Sequence, residues 1–191
     1  QNYEKISDLD TLVSKDEIHK FGRTFHFNAI AKTKEGLKNL FKIISLANTV
    51  YLYKTTRILR SELDKLREGL LIGSGCYESE VFIEARSKEG QELTNIINFY
   101  DYVEVQPPEV YDHLIQLGDF KDNVELTSHI RKIIEATKDA GKLIVATGDV
   151  HHFEREDKIY RKIIVNQEVP GGGRHPLAKS GITEIPSQHF R

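Results

Sequence analysis

Two periods of apolar positions run along this chain. Thr33 precedes Leu37, Leu40, Phe41, Ile44 and Ala47, a spacing that predicts an amphipathic helix over residues 34–48, capped by Thr33, with the apolar stripe in the core. Leu93, Ile96, Ile97 and Tyr100 mark a helix over 89–100, after a shorter one over 78–86. Leu126, Ile130, Ile133, Ile134 and Thr137 mark a long helix over 124–140, stopped by Gly141. Ser61 reads as the cap of a helix reaching Arg67 and ended by Gly69, and residues 109–117 as a short helix. A last helix is predicted over 154–165, with Ile159, Ile163 and Ile164 inward and Lys158, Arg161 and Lys162 on a solvated face. Short apolar runs at 25–31, from Leu70, at 102–105 and at 143–146 read as strands, the last of them buried, and Pro107-Pro108 halts the third. Residues 1–20 read as a polar linker or loosely docked segment. Beyond Pro170 a loop is expected, with Gly171-Gly172-Gly173 flexible, because it lacks the strand, helix and Lys of a phosphate-binding loop. Strands alternating with helices predict an α/β fold with a largely parallel sheet.

Composition narrows the setting. The 191 residues suffice for one good core. With 27 basic against 29 acidic side chains, no basic excess announces a nucleic-acid surface. The single cysteine, Cys76, excludes an internal disulfide framework and suits a reducing compartment. No apolar run is long enough to span a bilayer and no signal-peptide pattern is present, so a cytoplasmic protein without a membrane partner is expected. The chain begins with Gln and contains no Met, which is expected of a fragment.

The candidate chemistry lies past strand ends. Thr147 and Gly148 break the run at 143–146, and Asp149, His151 and His152 follow at its carboxyl end, the edge at which parallel α/β folds place their sites. If that segment stays extended, Asp149 and His151 share a face and can offer a carboxylate oxygen and an imidazole nitrogen to one cation, while His152 points away. A surface loop capping the next helix is the alternative. Cys76 follows the Gly73-Ser74-Gly75 turn in the same relative place, as an inert buried thiol, a ligand or a nucleophile. His26 falls inside the first strand, as a packed residue or a ligand, and Glu104 inside the third.

Six stretches carry a family resemblance. They are residues 33–46, 67–76 (Arg-Glu-Gly-Leu-Leu-Ile-Gly-Ser-Gly-Cys), 99–111 (Phe-Tyr-Asp-Tyr-Val-Glu-Val-Gln-Pro-Pro-Glu-Val-Tyr), 145–151 (Val-Ala-Thr-Gly-Asp-Val-His), 157–163 and 189–191. Through them the chain resembles the PHP (polymerase and histidinol phosphatase) domains of PolC-type DNA polymerase III α subunits. The match is weak before Gly22, so residues 1–21 are set apart from a PHP part over 22–191.

The resemblance implies a distorted (βα) barrel, here partial, with metal ions at the carboxyl ends of its strands. By family position His26, Cys76, Asp149 and His151 are metal ligands, and Arg57 faces a phosphate. His152 stands where the family has an aromatic residue and is not counted. The metal implied is zinc first, with manganese or iron as alternatives, at incomplete occupancy, because the family's upstream His-x-His motif is absent. The piece looks like the part that follows an inserted 3′–5′ exonuclease. It holds neither polymerase nor exonuclease carboxylates, so no catalytic residue is assigned and the fragment itself is expected to be inactive. The implied role is scaffolding within a replicative DNA polymerase, with DNA, the other polymerase domains and replisome subunits as partners. The alternative is a metal-dependent phosphoesterase.

Overall fold

The computed structural model describes residues 23–169 and 171–179. The segment read as a linker and the match at residues 189–191 lie outside the described residues. The chain divides after Gly73 into two compact units.

In the first unit, strand β1 (Asn28–Ala31) leads into helix α1 (Lys34–Asn48), then α2 (Arg60–Lys65) and strand β2 (Leu70–Gly73). Helix α1 begins as expected, with the Thr33 hydroxyl accepting from the Gly36 N–H at 3.0 Å. Helix α2 does not. It starts at Arg60 with Leu59 as its cap, and no side chain completes the cap where Ser61 was expected. Strands β1 and β2 pair antiparallel, Asn28 opposite Gly73 and Ala31 opposite Leu70. A largely parallel sheet was expected; here the chain returns through α1, a connector and α2 to run against β1, although a connection of that kind is also long enough for a parallel crossover.

The face that α1 buries also differs from the expected one. Gly36, Asn39 and Ile43 are buried, whereas Leu37, Phe41 and Ile44 are exposed. Two contacts fix this rotation. A Cβ on Gly36 would lie 1.9 Å from the Gly69 carbonyl oxygen, so the two backbones meet directly, and Gly69 itself sits at φ 73°. One turn on, the Asn39 amide donates to the Glu68 carbonyl at 3.0 Å. The close approach selects glycine, and the helix turns its small and amide-bearing side toward β2.

The second unit contains helices α3 (Glu80–Glu84) and α4 (Gly90–Ile97), strand β3 (Tyr102–Val105), a 3₁₀ turn (Pro108–Tyr111), α5 (Asp112–Gln116), the long α6 (Asn123–Asp139), strand β4 (Leu143–Ala146), a second 3₁₀ turn (Arg155–Asp157), α7 (Lys158–Asn166), strands β5 (Glu168–Val169) and β6 (Gly173–Arg174), and α8 (Pro176–Lys179). Strands β3 and β4 pair parallel, Tyr102 opposite Leu143 and Val105 opposite Ala146. Helix α6 packs on α4 and on both strands. It is capped by the Asp122 carboxylate, which accepts from the N–H groups of Val124 and Glu125. Leu93, Ile96, Ile97 and Tyr100 of the α4 segment are buried with Val103, Leu126, Ile130, Ile133 and Thr137, as their spacing predicts. Two buried polar groups are satisfied inside this core. The Tyr100 hydroxyl donates to the Glu80 carboxylate at 3.0 Å, and the His129 Nε2 donates to the Phe82 carbonyl at 2.9 Å.

Three expectations for this unit are corrected. Strand β4 was expected to be buried, but Leu143 is exposed and Ile144 and Val145 are half-buried, because among the described residues β4 pairs only with β3. In α7, Ile159, Ile163 and Ile164 are exposed rather than inward; Val165 is the buried residue, and Arg161 is half-buried rather than solvated. Loop was expected beyond Pro170, but β5 and β6 pair as antiparallel strands with Gly171 (φ 96°) and Gly172 (φ 83°) in the turn between them. Among the described residues no helix is long and apolar enough to cross a membrane.

Three outcomes follow from this packing. Ala at an exposed helical Gly normally stabilises by about 1 kcal/mol. Gly36→Ala is expected to destabilise by about 1–3 kcal/mol instead, read from the urea midpoint, because its methyl has no room against Gly69. Ile97→Ala, at a fully buried position, is expected to cost about 2–5 kcal/mol in the same measurement. Burial holds the imidazoles of His113 and His129 below their ordinary value. The unfolded chain therefore takes up protons that the folded one refuses. Stability from these groups is full above about pH 6.5 and is lost as pH falls below it. The melting temperature is expected to drop between neutral and mildly acidic pH, with a shallower drop in His129→Gln.

Candidate metal centre

Polar groups frame the carboxyl ends of β3 and β4. The Thr147 N–H donates to the Val105 carbonyl at 3.0 Å and carries the parallel pairing one residue past β4. The Thr147 hydroxyl donates to Glu104 Oε2 at 3.2 Å and accepts from Gln106 Nε2 at 3.3 Å. The Ser74 hydroxyl accepts from the Glu104 N–H at 2.9 Å, while the Ser74 N–H donates to the Tyr102 carbonyl at 3.1 Å. Glu104 is therefore held within the frame, which lowers the cost of a carboxylate inside a strand.

Beyond Thr147 the backbone turns. Asp149 sits at φ 46°, in the left-handed region that aspartate tolerates better than most residues. The extended segment that would put Asp149 and His151 on one face does not form. The turn brings them together instead, with His151 Nε2 3.4 Å from Asp149 Oδ2. The ring of His152 turns to the Glu154 carbonyl, to which its Nδ1 donates at 2.8 Å.

Cys76, half-buried, lies within electrostatic reach of Asp149. Burial raises the thiol pKa first, and the charges of Glu78 and Asp149 raise it further, against backbone donors that lower it. Ligand atoms of Cys76 and Glu78 lie within 4.8 Å of each other. The same charges reach two tyrosines. Tyr77 is pushed up to about 12, by burial first and then by Glu78, Cys76 and Asp149. Tyr111 is raised by burial and then by Cys76 and Asp149. The imidazole of His113 stands edge-on to Tyr77 with ring centres 4.6 Å apart, and Asp149 offsets part of the burial that lowers its pKa.

The other two sequence candidates lie in the first unit. His26 is exposed, just before β1. Arg57 is half-buried; its Nη2 donates to the Thr55 hydroxyl at 3.3 Å and its guanidinium lies 5.5 Å from the Tyr53 ring centre. Sequence reasoning did not single out Glu78. The available signal was its position two residues after Cys76, the spacing that also relates His151 to Asp149.

In the second unit Cys76 and Glu78 thus lie close together, Asp149 and His151 form a separate pair, and the charge of Asp149 is felt at the thiol. Thiolate and imidazole donors suit zinc, and carboxylate with imidazole also accommodates manganese or iron. Burial first, and then the charges of Glu78 and Asp149, raise the proton affinity of the Cys76 thiol, and a divalent cation is the species that would relieve this.

No family model matches the chain. Among curated proteins it is 43% identical over 184 residues to the DNA polymerase III PolC-type of Bacillus subtilis, an alignment covering 96% of this chain and 12% of that protein. It is 44% identical over 169 residues to the one from Halalkalibacterium halodurans, covering 88% of this chain and 11% of the relative. With the one from Latilactobacillus sakei it shares 39% identity over 193 residues, covering all of this chain and 13% of the relative. The chain spans about one eighth of the length of the curated relatives it matches. Over nearly its whole length, then, the chain is homologous to one segment of PolC-type DNA polymerase III.

Proposed function

We propose that this chain is the metal-binding PHP segment of a replicative, DNA-directed DNA polymerase, and that it serves the polymerase chiefly as a scaffold. The observation that carries the polymerase assignment is homology at 39–44% identity along nearly the entire chain. DNA synthesis, 3′–5′ exonuclease activity, DNA and the replisome subunits belong in this reading to the whole polypeptide. So does the partial (βα) barrel, of which β3, α6 and β4 supply a parallel unit with its covering helix. In the second unit Cys76, Glu78, Asp149 and His151 would hold the metal, with His26 and Arg57 as further ligand and phosphate contact by family position.

A divalent cation held there would polarise a phosphoryl oxygen as a Lewis acid. The chain's own contribution is to fix the donors. Thr147 anchors the segment to β3, Asp149 takes the turn, and His151 is brought back to the carboxylate. Tyr77 and Tyr111, both held protonated, border the donors and supply no competing charge at neutral pH.

Phosphoester hydrolysis at this centre is the second reading, favoured by the mixed thiol, carboxylate and imidazole set. The two readings separate in the full-length protein. Asp149→Ala and Cys76→Ser are each expected to lower bound zinc or manganese, measured by elemental analysis. Unchanged metal content in both variants contradicts the centre. If Asp149→Ala lowers the melting temperature of the polymerase and leaves phosphoester hydrolysis at background, the role is scaffolding; loss of a measurable hydrolysis in that variant establishes the enzyme.

A further inference from the structure

The apolar stripe of α1 is held out in solvent by the packing of the helix itself. Leu37 (47% exposed), Phe41 (62%) and Ile44 (48%) repeat at helical spacing along one side. A helix free to roll would turn such a stripe inward. Here the backbone contact of Gly36 with Gly69, and the bond from the Asn39 amide to the Glu68 carbonyl, pin the other side down. The stripe cannot turn in without breaking both. Scattered surface apolar residues need no explanation, but a contiguous exposed stripe marks an interaction site.

The flank of the stripe carries one sign of charge. Lys34, Lys38 and Lys42, each one helical step of four from the next, line the helix beside it, and all three are exposed. The helix has one carboxylate, Glu35, and Lys38 already holds it at 3.0 Å. Lys42 donates to the neutral Asn39 side chain at 3.3 Å. From Gly36 to Ser61 the sequence contains Lys38, Lys42, Lys54, Arg57 and Arg60 and no Asp or Glu, in a chain whose net charge is −2. An apolar stripe beside a row of lysines is complementary to an amphipathic segment with carboxylates beside its own apolar residues. A nucleic-acid strand would engage the lysines and leave Leu37 and Ile44 in water.

We propose that the outer face of α1 docks an acidic, amphipathic polypeptide segment, with Phe41 as the central anchor and Lys38 and Lys42 selecting its charge. Aromatic residues near the centre of a contact carry much of its binding energy, and flanking charges decide between partners. The inference gives the scaffold role a surface and rests on that role for its purpose alone. It uses no residue of the candidate metal centre.

The test is fluorescence anisotropy of the 191-residue chain with a synthetic helical peptide that places leucines at i, i+4 and i+7 with glutamates beside them. The same peptide with lysines for the glutamates is the comparison. The chain is expected to bind the glutamate peptide about tenfold or more tighter than the lysine peptide. Phe41→Asp is expected to weaken the glutamate peptide about tenfold or more. Lys38→Glu combined with Lys42→Glu is expected to reverse the preference between the peptides, and decides the matter if Phe41→Asp does not fold. No binding of the glutamate peptide by the parent, or a preference unchanged in the folded charge variant, overturns the inference. So does capture of a single-stranded oligonucleotide or of phosphatidylserine vesicles that depends on Lys38 and Lys42 while the glutamate peptide stays unbound. Bound manganese in the full-length protein, measured by elemental analysis, is expected to be the same in Phe41→Asp as in the parent, so failure of this inference and failure of the metal centre are read separately.

Discussion

Parallel pairing of Tyr102–Val105 with Leu143–Ala146 is the constraint from which the geometry of the second unit follows. A parallel ladder brings the carboxyl ends of its strands to one edge, so whatever follows Val105 and Ala146 must emerge together. Thr147 tightens this. Its N–H extends the ladder to Val105 and its hydroxyl ties to Glu104, so Gly148 is the first residue past that anchor. Asp149 then takes a left-handed conformation that costs of order 1 kcal/mol and persists because the flanking residues over-determine it. That strained residue is the one whose carboxylate meets His151. The ladder thus decides where the turn occurs, and the turn decides which donors meet.

Local pattern sufficed wherever one helix or strand carries its own periodicity. Helix α1 occupies the residues its spacing predicts, and strands β3 and β4 match their apolar runs. The buried face of α4 and much of that of α6 follow the same rule. Reasoning failed where a distant partner rotates or reverses an element. The stripe of Leu37, Phe41 and Ile44 has the periodicity of a core face, yet Gly36 and Asn39 hold the buried side because Gly69 and Glu68, far along the chain, supply a backbone to pack and a carbonyl to bind. In α7 the periodicity of Ile159, Ile163 and Ile164 likewise names an apolar face without saying whether anything covers it. Antiparallel pairing of β1 with β2 depends on the path of the connection, which no local pattern encodes.

At the site, residue type and position past strand ends were legible, and mutual distance was not. Asp149 and His151 could be paired from their spacing, although a turn rather than an extended strand makes the pair. Glu78 and Arg161 were passed over for the same reason. Each looks like an ordinary surface charge in its own helix or loop; Glu78 could have been found from its place two residues after Cys76, whereas only the fold reveals Arg161 with a buried, unspent nitrogen.

The charge balance of the second unit ties these features together. Burial and two neighbouring carboxylates favour the protonated thiol at Cys76, and the same environment keeps Tyr77 and Tyr111 protonated. Without a cation the cluster is therefore least costly with its thiol and phenols neutral, and only the carboxylates carry charge. A divalent ion bound at Cys76 would reverse this preference there, because a thiolate can ligate it directly. Arg161 cannot serve as the internal substitute for that ion. It lies too far from Asp149 to form an ion pair, yet near enough for the two charges to sense each other. Within the second unit the charge of Asp149 is thus felt both at the Cys76 thiol and at the Arg161 guanidinium.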